Sequence, residues 1–364
     1  MVRWRGPTIS RTGAGAALLS GGSTGRGPVA RADVLDDPRA DQAEAGAASR
    51  TSHRLWQQRR HLGLAVGVSA VVIALAALGT ATTGSTDPAP STAPPGQGSP
   101  VNPPPAEPET PATLFDADKR DLAMQLVSSA ENSSLDWRAQ YGYIEWNVEG
   151  VAAENRGYTA GLIGFCSACG DMTALLEHYS TLAPGNVLEQ YLPAVRREQE
   201  RGIGRATQNG LGRAFEAAWW AAATDPLFRQ AQDHRIDVGY FRPAVEQAIA
   251  DGLPVLGQFA YFDAMVMHGP GDSPYSFGGI RATALRAAPA PAAGGDTEAY
   301  LDAFLDARVA AMRTEVAHRD TSRVDTAQRR FLEQGNLALD TPLAWSVYGD
   351  RYTVRSLGVR PVVR

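Results

Sequence analysis

The stretch 83–112, TGSTDPAPSTAPPGQGSPVNPPPAEPETPA, is made of Pro, Ser, Thr, Gly and Ala with three acids, Gln97, Asn102 and one valine, so it cannot build a core. It acts as a semi-extended linker, and any folded body must lie on one side of it. On its N-terminal side, residues 1–61 have no hydrophobic period and read as a disordered basic tail. Ten arginines stand against five acids in residues 1–60. Next comes LGLAVGVSAVVIALAALG (62–79), uncharged throughout and preceded by Arg59, Arg60 and His61. That length is just enough to span a bilayer as a helix, and the flanking positive charge keeps the N-terminus in the cytoplasm. With TAT at 80–82 as a loose cleavage site, the segment 62–82 equally fits a signal peptide, and the paired arginines point weakly to twin-arginine export. Signal anchor and signal peptide both stay open. Either one places the body, residues 113–364, outside the cytoplasm, secreted or tethered to the outer face of the membrane. The only membrane contact expected is through 62–79, if that segment is retained.

From residue 113 onward there are 31 acidic against 24 basic residues, an excess of seven negative charges. An acidic body argues against nucleic acid as a partner and permits a cationic substrate. Cys166 and Cys169, in FCSACGDM, are the only cysteines. A lone C-x-x-C in an exported chain is a short-loop disulfide, a redox pair or half a zinc site. No second pair or nearby histidines complete a zinc site, so no metal is expected, and the two are read as small residues of a tight turn.

Helical spacing dominates the body. FDADKRDLAMQLVSSAE puts Leu122, Leu126 and Ala130 on one stripe, with Asp116 or Asp118 able to cap its start. MTALLEHYSTL, AFEAAWWAAATDPLFRQAQDH, RPAVEQAIADG, VLGQFAYFDAMVMH and DTEAYLDAFLDARVAAMRTEVAH read as further helices. GYTAGLIGF, set between glycines and rich in branched and aromatic residues, reads as a strand or hairpin. The expected fold is mainly α, two helical lobes with a small β element flanking a groove, which suits a polymeric substrate.

SSAENSSLDW places Glu131 at the end of the first helix, just before Asn132. The partial negative end of the helix dipole disfavours a carboxylate's charge, and a general acid has to carry its proton. Hydrolysis of a glycoside needs a second, ionised carboxylate to activate water or attack. Asp136, Glu145, Glu149, Glu154 and Asp171 are within reach in sequence; Asp136, beside Trp137, is better placed to cap or pair locally.

LVSSAENSSLDW, RGYTAGLIGFCSACGDM, LGQFAYFDAMVMHGPG, SFGGIR, LDARVAAM, DTSRVDTAQR and LAWSVYGD, in that order, resemble the chitosanases of glycoside hydrolase family 46 over about residues 115–353. The resemblance implies a two-lobed, mainly α, lysozyme-like fold with an acidic cleft. It also implies endo-hydrolysis of β-1,4-linked polyglucosamine with inversion, and neither metal nor organic cofactor. It assigns Glu131 as general acid and Thr159 as a hydroxyl that positions the attacking water. Asn132, Tyr143, Glu145, Arg156, Asp171 and His268 fall to substrate contact, Asp171 receiving a sugar ammonium. Asp263, Arg308 and Arg323 match a buried ionic network behind the acid, and Trp137, Trp219 and Trp345 match helix-packing tryptophans.

The family pattern has an aspartate base two residues before the Arg of RGYT, where this chain carries Glu154 in AENRGYT, after a longer loop (WNVEGVAA). The register with Arg156 and Thr159 favours Glu154 as base, with Glu149, beside the flexible Gly150, as its rival. CSAC is a second departure. A monomer acting on chitosan is expected; the competing readings are an inactive wall-binding module tethered by 62–79 and a lysozyme-like muramidase, whose motifs are missing.

Overall fold

The computed structural model describes residues 111–315 and 318–357. The basic tail, the apolar segment 62–82 and nearly all of the linker lie outside the described residues. Leu114 is the first buried side chain among those described, and its amide donates to Gln258 Oε1 at 2.8 Å. No helix among the described residues is long and apolar enough to cross a membrane.

Helix α1 runs Ala117–Glu131. Its start is pinned by Lys119, whose Nζ donates to the carbonyls of Ala338 (2.7 Å) and Leu339 (3.1 Å) and pairs with Asp340. Its stripe of Leu122, Leu126 and Ala130 is buried, as the periodicity predicts. Asp136 caps the 3₁₀ turn Trp137–Gly142 by accepting from the Ala139 amide. The chain then forms an antiparallel three-stranded sheet, β1 (Ile144–Trp146), β2 (Tyr158–Ala160) and β3 (Phe165–Cys166). Glu145 lies opposite Thr159 across β1–β2, and Thr159 opposite Cys166 across β2–β3.

Behind this sheet come α2 (Asp171–Leu182), α3 (Leu192–Arg201), α4 (Arg213–Ala222) and α5 (Pro226–Ile236). The segment read as one helix over 214–234 is two. Pro226 cannot donate into a continuing ladder, and Asp225 caps the new start by accepting from the Leu227 amide. Edge-on aromatic contacts bind the sheet to these helices: Trp146 to Tyr158, Tyr158 to Phe215, Phe215 to Trp219, and Trp219 to Phe228. Trp219 is fully buried, with its indole N–H on the Tyr141 carbonyl.

A π-helical turn, Asp237–Phe241, leads into α6 (Arg242–Ala250) and then α7 (Val255–His268). Twelve of the fourteen residues of α7 are buried, and all of these but Gln258 and Asp263 lack a charged or amide side chain, so the helix runs through the core. A Cβ on Gly257 would meet Leu253 at 2.8 Å and Leu301 at 3.1 Å, so only glycine lets the neighbours close in. Helices α8 (Phe277–Ala287) and α9 (Thr297–Met312) pack on each other, and α9 gives way to a turn at Arg313 and Thr314, inside the run that its periodicity predicts as helix. A second π-helical turn at Val324–Gln328, α10 (Arg329–Glu333) and the hairpin β4 (Leu343–Val347) with β5 (Asp350–Val354) complete the body. Trp345 of β4 is buried and donates to Ser129 Oγ at 3.0 Å, tying the hairpin to α1.

Candidate active site

A cleft of about 940 Å3 opens between two groups of elements. One wall carries the end of α1, the β1–β3 sheet and the start of α2. The other carries the end of α7, the 269–276 loop, Glu315, His318, Arg323 and Tyr348. Four carboxylates line it (Glu131, Glu149, Asp171 and Glu315) against three guanidiniums (Arg156, Arg235 and Arg323).

Glu131 is the last residue of α1, and its Oε1 is 2.5 Å from Arg323 Nη1. Arg323 is itself held from behind: its Nε and Nη2 donate to both oxygens of Asp263 at 2.8–3.0 Å. Asp263 also accepts from Arg308 Nη2 at 3.0 Å and Gln328 Nε2 at 2.7 Å. Asp263 and Arg308 are fully buried. Burial alone would raise the Asp263 carboxyl, but the two guanidiniums outweigh it and hold it below the usual carboxylate range. Asp263 thus stands between the two guanidiniums, with Glu131 on the far side of Arg323, and the shared carboxylate makes two buried arginines tolerable. Tyr348, held at φ 53°, stands by this chain, and burial pushes its hydroxyl up to about 12.

Asn132 ends α1, and its side-chain amide donates to the Leu162 carbonyl at 2.9 Å while the residue borders the cleft. Thr159, on β2, borders the cavity, and its buried hydroxyl has no hydrogen-bond partner among the described residues. Asp171 opens α2, where a carboxylate complements the helix dipole. Its Oδ1 accepts from the Cys166 and Met172 amides at 3.0 and 2.8 Å, and its Oδ2 accepts from the Tyr240 hydroxyl at 3.0 Å. Burial nevertheless pushes the Asp171 carboxyl up. Cys166 and Cys169 form a disulfide across the turn that delivers Asp171. The Cys166–Cys169–Asp171 cluster therefore offers no pair of thiolates to an ion. His268 lies at the end of α7 on the cavity; burial, then the Arg308 charge, push its ring down to about 2, so it is neutral.

The carboxylate on the sheet side is not where the RGYT register puts it. Glu149 lines the cavity, and its side chain is only 7 % exposed. Its Oε2 accepts from the Arg156 amide at 3.5 Å, and its Oε1 is 3.8 Å from Arg156 Nε. Burial pushes Glu149 up, opposed by the Arg156 charge. Glu154 ends a separate 3₁₀ turn, Ala152–Glu154, and is not among the residues lining the cavity. Glu145 likewise stays off the cavity, accepting from the Tyr143 hydroxyl at 3.3 Å while Tyr143 borders it. Arg156 reaches across to Glu315 (3.4 Å), which pairs with His318 Nδ1 (2.6 Å). The His318 hydrogen bond, with the charge beside it, holds the Glu315 carboxyl low. Glu315, His318, Tyr240, Arg235 and Tyr348 were not singled out from the sequence. The proximity of AHRD to DTSRVDTAQR was the available signal for His318.

The profile of glycosyl hydrolase family 46 matches residues 125–343, a span that includes every element of both cleft walls except Tyr348. The chain belongs to glycosyl hydrolase family 46. Within that family it is 58 % identical over 245 residues to a chitosanase of Streptomyces sp. (strain N174), covering 67 % of this chain and 85 % of that one. It is 34 % identical over 241 residues to a chitosanase of Bacillus subtilis (strain 168), covering 64 % and 83 %. Among solved structures, chitosanase OU01 with substrate superposes with a TM-score of 0.64 at 54 % identity, covering 68 % of this chain and all of that one. A Gynuella sunshinyii family member in complex with chitotetraose superposes at 0.59 with 34 % identity, covering 65 % and 98 %.

Proposed function

We propose that the domain is an endo-acting chitosanase that hydrolyses β-1,4 bonds of polyglucosamine with inversion at the anomeric carbon. The observation that carries this reading is one cleft that brings Glu131, backed by a buried ion chain, together with the further carboxylates Glu149, Asp171 and Glu315. Glu131 protonates the leaving oxygen. A second carboxylate of the cleft takes a proton from water, with the Thr159 hydroxyl helping to hold that water. Asp171, presented on backbone amides beside the disulfide turn, receives a sugar ammonium by a charge-assisted contact. Arg156, Asn132, Tyr143 and His268 contact the sugars. An acetylated sugar offers a neutral amide in place of the ammonium and leaves Asp171 desolvated without a charged partner. The enzyme acts outside the cytoplasm, delivered there by the 62–79 segment.

Reducing ends should be released from fully deacetylated polymer and fall steeply as acetylation rises. Proton NMR of the first products should show the inverted, α-anomer. Binding without release of reducing ends would instead support a wall-binding module, and equal cleavage of fully acetylated chitin would refute the assignment of Asp171.

A further inference from the structure

We propose that Glu149 is the general base, carried into the cleft by a loop whose second half, including Glu154, serves only to pack. This deepens the chitosanase reading above and rests on it. Loop 147–157 is closed at its base by the Asn147 amide on the Gly157 carbonyl (2.9 Å), directly beyond the β1–β2 pair Trp146–Tyr158. Inside that closure the chain makes two separate turns. The first runs Asn147 to Gly150, closed by the Gly150 amide on the Asn147 carbonyl (3.1 Å), with left-handed backbone at both ends (φ 49° and 67°). Asparagine and glycine are the residues that adopt this region most readily. Glu149 lies inside this turn, and Val148, Glu149 and Val151 all border the cavity.

The second turn, Ala152–Glu154, leans away from the cleft onto the loop after α3. The Gly204 amide donates to the Asn155 carbonyl at 2.8 Å, and a Cβ on Gly204 would stand 2.8 Å from the Ala153 carbonyl oxygen. The glycine at 204 is therefore what lets the two segments meet. Glu154 belongs to this docked turn, and moving it into the cleft would break that contact.

The surroundings of Glu131 and Glu149 are built alike. Each carboxylate faces an arginine, Arg323 or Arg156, and each arginine is tied to a further acid, Asp263 or Glu315. The contacts on the Glu149 side are looser, 3.8 Å against 2.5 Å, which leaves its oxygens available to a water in the cavity. In the step itself, Glu149 takes a proton from that water as its oxygen bonds to the anomeric carbon. The bond from that carbon to the bridging oxygen breaks, and Glu131 protonates the departing oxygen. Glu149 then returns its proton to solvent and Glu131 regains one.

The test is Glu149→Gln, Glu154→Gln and Glu131→Gln in the full chain, with kcat on polyglucosamine, thermal melting and glucosamine-hexamer binding. Glu149→Gln is expected to lose about 10²- to 10⁴-fold in kcat while still binding the hexamer, and Glu154→Gln to stay close to wild type. An active wild type whose Glu149→Gln form keeps its kcat, or whose Glu154→Gln form loses it as Glu131→Gln does, overturns the assignment of Glu149 alone. A wild type that releases no reducing ends overturns the chitosanase reading and this proposal with it. Should Glu149→Gln fail to fold, Glu154→Gln decides: full activity supports Glu149, and collapse overturns it.

Discussion

Asp263 bears more of the site's electrostatics than any other side chain, because both buried guanidiniums behind the cleft end on its two oxygens. Replacing it by asparagine keeps the shape but leaves Arg308 and Arg323 facing each other without the intervening charge. Equilibrium urea unfolding at neutral pH should show a loss of roughly 3–5 kcal/mol, the usual cost of breaking a buried pair from one side. The folded carboxyl is held below its unfolded value near 3.9, so its contribution is complete above that pH and disappears as pH falls through the lower folded value. Melting temperature in the wild type should therefore decline as pH drops below about 4, and Asp263→Asn should flatten that decline. At the same scale, Glu131 and Arg323 were legible in the sequence because both sit in short, specific motifs. The choice between Glu149 and Glu154 was not, since spacing counts residues and cannot show which of two turns faces the cleft.

At the scale of elements, helices α1, α6 and α7 emerged from periodicity with nearly their observed bounds, because their buried faces repeat cleanly. Helix α3 was missed: its LPAVRREQER is mostly polar and buries only one narrow stripe. The β4–β5 hairpin escaped notice because its alternation is short and its second strand buries only Val354. Helix α8 carries two adjacent glycines, which weaken any helical reading. The β3–α2 turn makes a prediction of its own, since the Cys166–Cys169 disulfide closes the turn whose amides hold Asp171. Replacing Cys169 by serine should raise KM for glucosamine oligomers several-fold and leave kcat within about twofold, the signature of lost uniform binding. Steady-state kinetics with short oligomers will show it; a fall in kcat at unchanged KM would contradict it.

For the molecule as a whole, the body's excess of seven acids meets a polymer with one ammonium per deacetylated sugar. Attraction of this kind acts over the Debye length, which shrinks from about 30 Å at 0.01 M salt to about 3 Å at 1 M. Initial rates on dilute polymer should drop steeply across that range, while kcat at saturation changes little. A salt-independent kcat/KM would show that the excess charge plays no part in capture. The course of α7 has a different consequence. This helix runs buried through the core, holds Asp263 at its middle and ends at the cleft with His268. The elements packed on it, α1, α6, α8 and α9, cannot come apart without disturbing it, and it cannot shift without disturbing the acid. Molecules that lose this packing therefore have no working site, and the activity left after a heat challenge counts the chains in which it is still intact.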